Sequence, residues 1–239
     1  MKHKARIILT TVTLLLFPVI LNFLSPAVPI FGALAGVVTG SLLLFAAQLL
    51  TGLFLGRAWC GWLCPMAALS EICMRVNDRS VNRKFLRAVR LSVFGVWAAA
   101  LIAGFIAAGG IKTVNPLFFT ENGISVDEPS KYIVYYMVLA LFLVVSLAVG
   151  RRGACHSFCW MSPFLAGGYA LGKQLGVPQL RIKARPENCV DCGRCDKACP
   201  MSIPVRTSLK AGFISESDCV LCGECVKNCP KDVLRFGVK

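Results

Sequence analysis

Residues 189–200 read CVDCGRCDKACP and residues 219–230 read CVLCGECVKNCP, so one spacing, C-x2-C-x2-C-x3-C-P, occurs twice. Thiolates are soft ligands, and this spacing holds iron–sulfur cubes in pairs: three sulfurs of one run bind a cube and the fourth crosses to the other. That logic assigns Cys189, Cys192, Cys195 and Cys229 to one [4Fe-4S] cluster, and Cys219, Cys222, Cys225 and Cys199 to a second. Gly193 and Gly223 let backbone N–H groups approach the inorganic sulfides, while Pro200 and Pro230 end each loop by fixing φ. A pair of four-cysteine zinc sites is the alternative, although zinc sites usually set two C-x2-C pairs well apart.

Four further cysteines form a second pattern. GRAWCGWLCPMAAL at 56–69 aligns with RRGACHSFCWMSPF at 151–164, pairing Cys60 with Cys155, Cys64 with Cys159, Arg57 with Arg152 and Met66 with Met161. Two thiolates cannot complete a four-coordinate site, but two copies of C-x3-C can. If each motif is helical, residues i and i+4 share a face and each copy presents two thiols to one side. The expectation is a third, interfacial iron–sulfur site made by Cys60, Cys64, Cys155 and Cys159. Dithiol redox chemistry, or simple packing as small hydrophobes, are the alternatives. Arg57 and Arg152 either offset the negative charge of such a cluster or set the topology. Cys73 has no counterpart in the repeat and is expected to be a plain thiol.

The ligands need elements to hold them, and the composition says which. At 56% hydrophobic residues and a mean hydropathy of +0.67, the 239-residue chain is too apolar for an ordinary soluble protein. Runs without Lys, Arg, Asp or Glu occupy 7–24, 33–55, 91–110 and 132–149. Each is close to the roughly 20 residues that cross a bilayer as a helix. The reading is an α-helical membrane protein over 1–180, with four transmembrane helices in two helix-hairpin repeats, followed at 181–239 by a small α+β domain like a bacterial two-cluster ferredoxin. The first run follows MKHKAR, as a signal peptide would, but its length, Pro18 and the lack of a small-x-small cleavage site favour an uncleaved anchor.

The net charge of +14 is concentrated beside these runs. Stretches 1–6, 56–90 and 150–185 hold 3, 7 and 6 Lys/Arg against only Glu71 and Asp78, and the 111–131 segment is poor in basic residues. By the positive-inside rule both termini and the cysteine-rich tail are expected in the cytoplasm, where thiols stay reduced. No aromatic residues interleave the basic stretches as a nucleic-acid surface requires. RVNDRSVNRKFLRAVR is spaced as a basic amphipathic helix on the membrane surface, or else as a solvated orientation signal.

The sequence carries no C-x-x-C-H haem site and no G-x-G-x-x-G after a strand, and His3 and His156 are its only histidines. Four apolar runs, C-x3-C after the second and fourth, and two ferredoxin-type motifs together resemble the membrane polyferredoxins of the NapH family. Its C-x3-C-P signature is matched by Cys60, Cys64 and Pro65, whereas Cys159 is followed by WMSP, with the proline at Pro163. The resemblance implies a quinol dehydrogenase-type electron-transfer component of an oxidoreductase complex, working between membrane quinol and another redox subunit. His156 and Trp62, inside the two motifs, are then candidate quinol neighbours at headgroup depth. Other relatives of the family imply a copper- or iron-reducing assembly factor or a redox-sensing regulator.

Overall fold

The computed structural model describes residues 2–121 and 123–238. Helices α1 (Lys2–Leu15) and α2 (Phe17–Leu24) form the first apolar run, bent by 83° where Pro18 enters the first turn of α2 without an N–H to donate. The second run is broken too. Helix α3 (Ala27–Ala35) stops at Gly36, whose φ of 71° is left-handed and cheap only for glycine. The β-branched Val37–Thr39 then forms strand β1, and α4 (Gly40–Leu55) starts on the Thr39 side chain, which accepts from Leu42 N. The expected single span over 33–55 is therefore two helices and a strand.

Helix α4 leads into the short α5 (Ala58–Trp62) and α6 (Pro65–Cys73), and α7 (Arg83–Ala107) then runs the length of the helical layer, capped by Asn82. Strand β2 (Thr113–Asn115) pairs in parallel with β1, Val37 opposite Thr113 and Thr39 opposite Asn115. Helix α8 (Lys131–Val149) returns and leads into α9 (Gly153–Ser157) and α10 (Met161–Gln174). The 95-residue repeat is thus structural: a long helix, a glycine turn, one short helix and a returning helix. The two halves exchange partners. Helix α4 packs on α10 through Gly52, Gly168 and Gly172, and α8 packs on α6, so each half lends its returning helix to the other.

Helices α7 and α8 are long and apolar enough to cross a bilayer, with mean hydropathies of 1.9 and 2.5; α1 with α2 qualifies only as a bent pair, and α4 has 16 residues. Leu15, Val96, Ile106 and Ile133 are all more than 70% exposed. An apolar belt of this kind suggests membrane association. The basic stretch before residue 90 is not a surface helix: from Arg83 onward it is the first two turns of α7.

In the tail, β3 (Leu180–Ala184) pairs antiparallel with β4 (Leu234–Val238). Between them lie the one-turn helices α11 (Arg194–Lys197), α12 (Val205–Leu209) and α13 (Glu224–Lys227). Their core is Ile182, Met201, Ile203, Val220, Leu221 and Val233, and Cys60 and Leu165 from the helical layer belong to it. A second core, around Phe17, Phe45, Met66, Phe142 and Met161, includes Cys64 and Cys159.

Candidate iron–sulfur centres at the junction of two cores

The two tail motifs fold alike. Asp191 and Leu221 have φ of 53° and 52°, Gly193 and Gly223 cap α11 and α13 at 70° and 78°, and Ile203 N and Val233 N donate to the sulfurs of Cys199 and Cys229 at 3.4 Å. Cys189, Cys192, Cys195 and Cys229 line one pocket; Cys199, Cys219, Cys222 and Cys225 line another. In each, three thiols come from one motif and the fourth from the other. The cavities differ in access: Cys192 is exposed, whereas Cys225 is buried in the core that also holds Cys60 of α5. Burial pushes the Cys219 thiol up to about 12, so a proton or a metal must neutralise it there. Among the described residues, no three His, Cys, Asp or Glu side chains converge as they would on a single metal ion. Cavities ringed by thiols suit a polynuclear group better.

The C-x3-C cysteines depart from the expected helix face. Cys60 lies in α5, but Cys64 is the extended residue (ψ 123°) that caps α6, so the chain turns between them at Leu63; Cys159 falls in the same way between α9 and α10. Pro65 enforces the turn, because the residue before a proline is held out of the helical region. All four thiols are nonetheless buried and close. Burial raises the Cys64 thiol well above its ordinary value, and Cys60, Cys155 and Cys159 raise it further. Three of the four join the two cores, Cys60 in that of the tail, Cys64 and Cys159 in that of the helices. Gly61 makes this junction: a Cβ there would collide with the carbonyl oxygen of Val220, so α5 and the tail backbone are in direct contact. Trp62 Nε1 donates to Leu221 O across the same seam at 2.9 Å.

Charge is concentrated here. Arg57 and Arg152, equivalent in the repeat, are each 1% exposed at the starts of α5 and α9. Arg152 donates to Cys60 O at 3.0 Å and to Glu71, and Glu71 also accepts from Arg6 at 2.7 Å, whose second nitrogen reaches Glu224 at 2.6 Å. Arg57 and Arg90 each donate to Asp218 Oδ1 at 3.0 Å, and Arg87 donates to Oδ2. Burial opposes ionisation of Asp218, yet these arginines hold its carboxyl well below the usual range. Donors remain over: the Nε of Arg57, Arg90 and Arg152 and Nη1 of Arg90 are buried without a partner. An anionic cluster on Cys60, Cys64, Cys155 and Cys159 fits this surplus of positive charge.

The structure does not bring His156 and Trp62 together at a quinol pocket. His156 is buried on the α7 side near Asp218, Arg57 and Arg90, and burial holds its pKa down to about 3. Trp62 faces the tail. The apolar cleft in contact with Cys64, Cys155 and Cys159 lies instead on the side of α2 and α8. Sequence reasoning also missed Arg6, Glu71, Arg90, Asp218 and Glu224. Glu71 alone left a signal, being one of only two acids in a strongly basic stretch.

A family model for a 4Fe-4S binding domain matches residues 37–85, and one for a 4Fe-4S dicluster domain matches residues 188–234. The chain is 28% identical over 199 residues to the methylamine utilization ferredoxin-type protein MauN of Methylorubrum extorquens, covering 80% of this chain and 65% of that protein. It is 26% identical over 181 residues to the putative electron transport protein YccM of Escherichia coli, covering 73% and 50%. A MauN of Methylobacillus flagellatus is 28% identical over 171 residues, covering 68% and 56%. The chain thus spans between half and two thirds of the length of these relatives. No solved structure matches it. The resemblance to the NapH-like polyferredoxins stands, and the chain carries two regions that match 4Fe-4S binding domains.

Proposed function

We propose that this protein is a membrane-embedded electron-transfer subunit that passes electrons between the quinol pool and a redox partner. The observation that carries the reading is that Cys60, in the core of the tail, lies close to Cys64 and Cys159, in the core of the apolar helices, with the buried Cys155 beside them. Iron–sulfur clusters, held by these four and by the two crossed sets of tail cysteines, would supply reversible one-electron uptake. The rest is done by the chain itself. Arg57 and Arg152 stabilise negative charge at the junction, Asp218 and Glu71 hold those arginines in place, and the apolar walls keep water out. Cys192, exposed on the tail, marks the edge a partner can approach.

In this reading α7 and α8 are unbroken crossings, and α1–α2 and α3–α4 are broken ones. The Lys/Arg distribution puts the tail on the cytoplasmic side. The test is anaerobic protein in lipid nanodiscs mixed with a reduced quinol, with cluster reduction followed by absorbance and by electron paramagnetic resonance. Wild type should be reduced, and Cys64→Ser should lose quinol-driven reduction while its tail clusters still respond to dithionite. Equal quinol-driven reduction in both proteins, or none in wild type with any quinol, overturns the proposal.

A further inference from the structure

The two tail motifs fold alike but stand in opposite electrostatic surroundings. Glu224 and Arg194 hold the same place in their runs, between the capping glycine and the third cysteine. Arg194 is exposed, whereas Glu224 meets the helical layer and accepts from Arg6 Nη2 at 2.6 Å. Arg6 comes from α1, is 2% exposed, and gives Nη1 to Glu71 at 2.7 Å; Glu71 in turn accepts from Arg152. The Nε of both arginines is buried without a partner. Burial pushes the Cys222 thiol up to about 11, and Arg152 and Arg6 work against that, so both guanidiniums face this thiol. Around the other run the nearest charge has the opposite sign. Asp196 Oδ1 lies 3.9 Å from Cys195 Sγ, and Arg206, 43% exposed, is shared between Asp196 at 2.8 Å and Asp191 at 3.1 Å.

We propose that Arg6, together with Arg152, holds up the reduction potential of the inner cluster, on Cys199, Cys219, Cys222 and Cys225, and leaves that of the outer cluster, on Cys189, Cys192, Cys195 and Cys229, unaffected. This deepens the electron-transfer reading and rests on it for the use of the clusters; the charge argument needs only the two tail sites. When such a cluster takes up one electron no bond breaks, and its charge becomes more negative by one. Burial therefore opposes reduction of the inner cluster, and a buried cation that salt cannot screen favours it. Arg6 is a positioning residue in a second sense: its two nitrogens tie α1 to Glu71 of α6 and to Glu224 of α13, which fixes where the charge stands relative to Cys222 and Cys225. The outer run, on the exposed side of the tail, takes no charge from the helical layer in this way; its ion pairs are with Arg206 of the tail itself.

The test is a redox titration rather than turnover. Full-length protein in nanodiscs, prepared anaerobically, is titrated with dithionite and mediators while the cluster signals are followed by electron paramagnetic resonance; Cys189→Ser, lacking the outer signal, assigns the two. Arg6→Gln should shift the reduction equilibrium of the inner cluster about tenfold or more towards the oxidised form, a fall of about 59 mV for one electron, with the outer cluster unchanged. Arg6→Lys keeps the charge and should restore most of that shift. Glu224→Gln breaks the same ion pair but removes a negative charge, so the inner potential should rise. An ion pair that served only to clamp the tail would move the inner potential the same way in Arg6→Gln and Glu224→Gln. Shifts of the same sign, no shift in either variant, or an equal shift of the outer cluster overturns the proposal. Should Arg6→Gln lose the iron of the tail, Glu224→Gln carries the test alone: a rise supports the proposal, and a fall or no change overturns it. The two readings fail separately, because dithionite replaces quinol here: opposite shifts without quinol-driven reduction sink the quinol role, and quinol-driven reduction with potentials indifferent to Arg6 and Glu224 sinks this one.

Discussion

Asp218→Asn should loosen the tail from the helical layer. The carboxylate is fully buried and faces Arg57 at 1% exposure and Arg90 at 3%, with Arg87, 40% exposed, as its third partner. Removing one partner of a buried ion pair costs about 3–5 kcal/mol, because the remaining charge stays buried without compensation. Here two guanidiniums are left, from α5 and from α7, and both hold the tail. At 1.4 kcal/mol per decade, the population with an undocked tail should rise by roughly two to three and a half decades. Hydrogen exchange of the β3 and β4 amides, read by mass spectrometry, measures that opening. Arg87→Ala is the control: Arg87 is itself the exposed member of the set, Arg57 and Arg90 still neutralise Asp218 without it, and the expected cost is about 1 kcal/mol or less. Replacing the set together, as Arg57→Met, Arg90→Met and Asp218→Leu, should restore most of the protection, since a well-packed apolar substitute needs no charge partner. Exchange in Asp218→Asn no faster than in Arg87→Ala would refute the argument.

Cys229→Ser should abolish the same paramagnetic signal as Cys189→Ser, and Cys199→Ser the same as Cys219→Ser; pairing of Cys229 with Cys219 instead would contradict the crossed sets. Gly61→Ala should weaken tail docking, seen as faster exchange around Val220, because the added methyl meets a backbone carbonyl that cannot step aside; wild-type exchange there would show that the contact is not needed. Burial favours the neutral form of Glu71, but Arg152 and Arg6 hold its pKa below the ordinary value. A depressed carboxyl stabilises the fold above its unfolded pKa of about 4.3 and ceases to as pH falls on through its lower folded pKa, so Glu71→Gln should flatten the loss of thermal stability on acidification below about pH 4. An unchanged pH profile would remove Glu71 from the account. A reporter fused after Lys239 should be active only in the cytoplasm; activity on the other side would reverse the orientation.

What the sequence displayed was whatever repeats at short range or at fixed spacing. The two C-x2-C-x2-C-x3-C-P runs announced the grouping of thiols now seen around two cavities, and the 95-residue offset of Cys60 and Cys155 announced the paired helix units. The breaks were less visible. Gly36 sits within an apolar run that hydropathy counts as continuous, yet its left-handed φ ends α3 there. Pro65 turns the chain between Cys60 and the start of α6, which a periodicity argument for one helical face ignored. The charge network was invisible for a different reason. Arg57 and Asp218 are 161 residues apart and Arg6 and Glu224 are 218 apart, so each looked like a surface charge until the tail folded back on the helices. The same folding turned Trp62 to Leu221 and His156 to α7, so the two residues the motifs offered as quinol neighbours face different elements.

The central claim is that four cysteines from two halves of the chain hold one group at the junction, and iron content tests it most directly. Cys60→Ser, Cys64→Ser, Cys155→Ser and Cys159→Ser, each purified anaerobically and assayed for iron and by electron paramagnetic resonance, should all lose the same signal and the same amount of iron, with both tail signals retained. Wild-type iron in all four single variants, or losses confined to each variant's own C-x3-C pair, would contradict it.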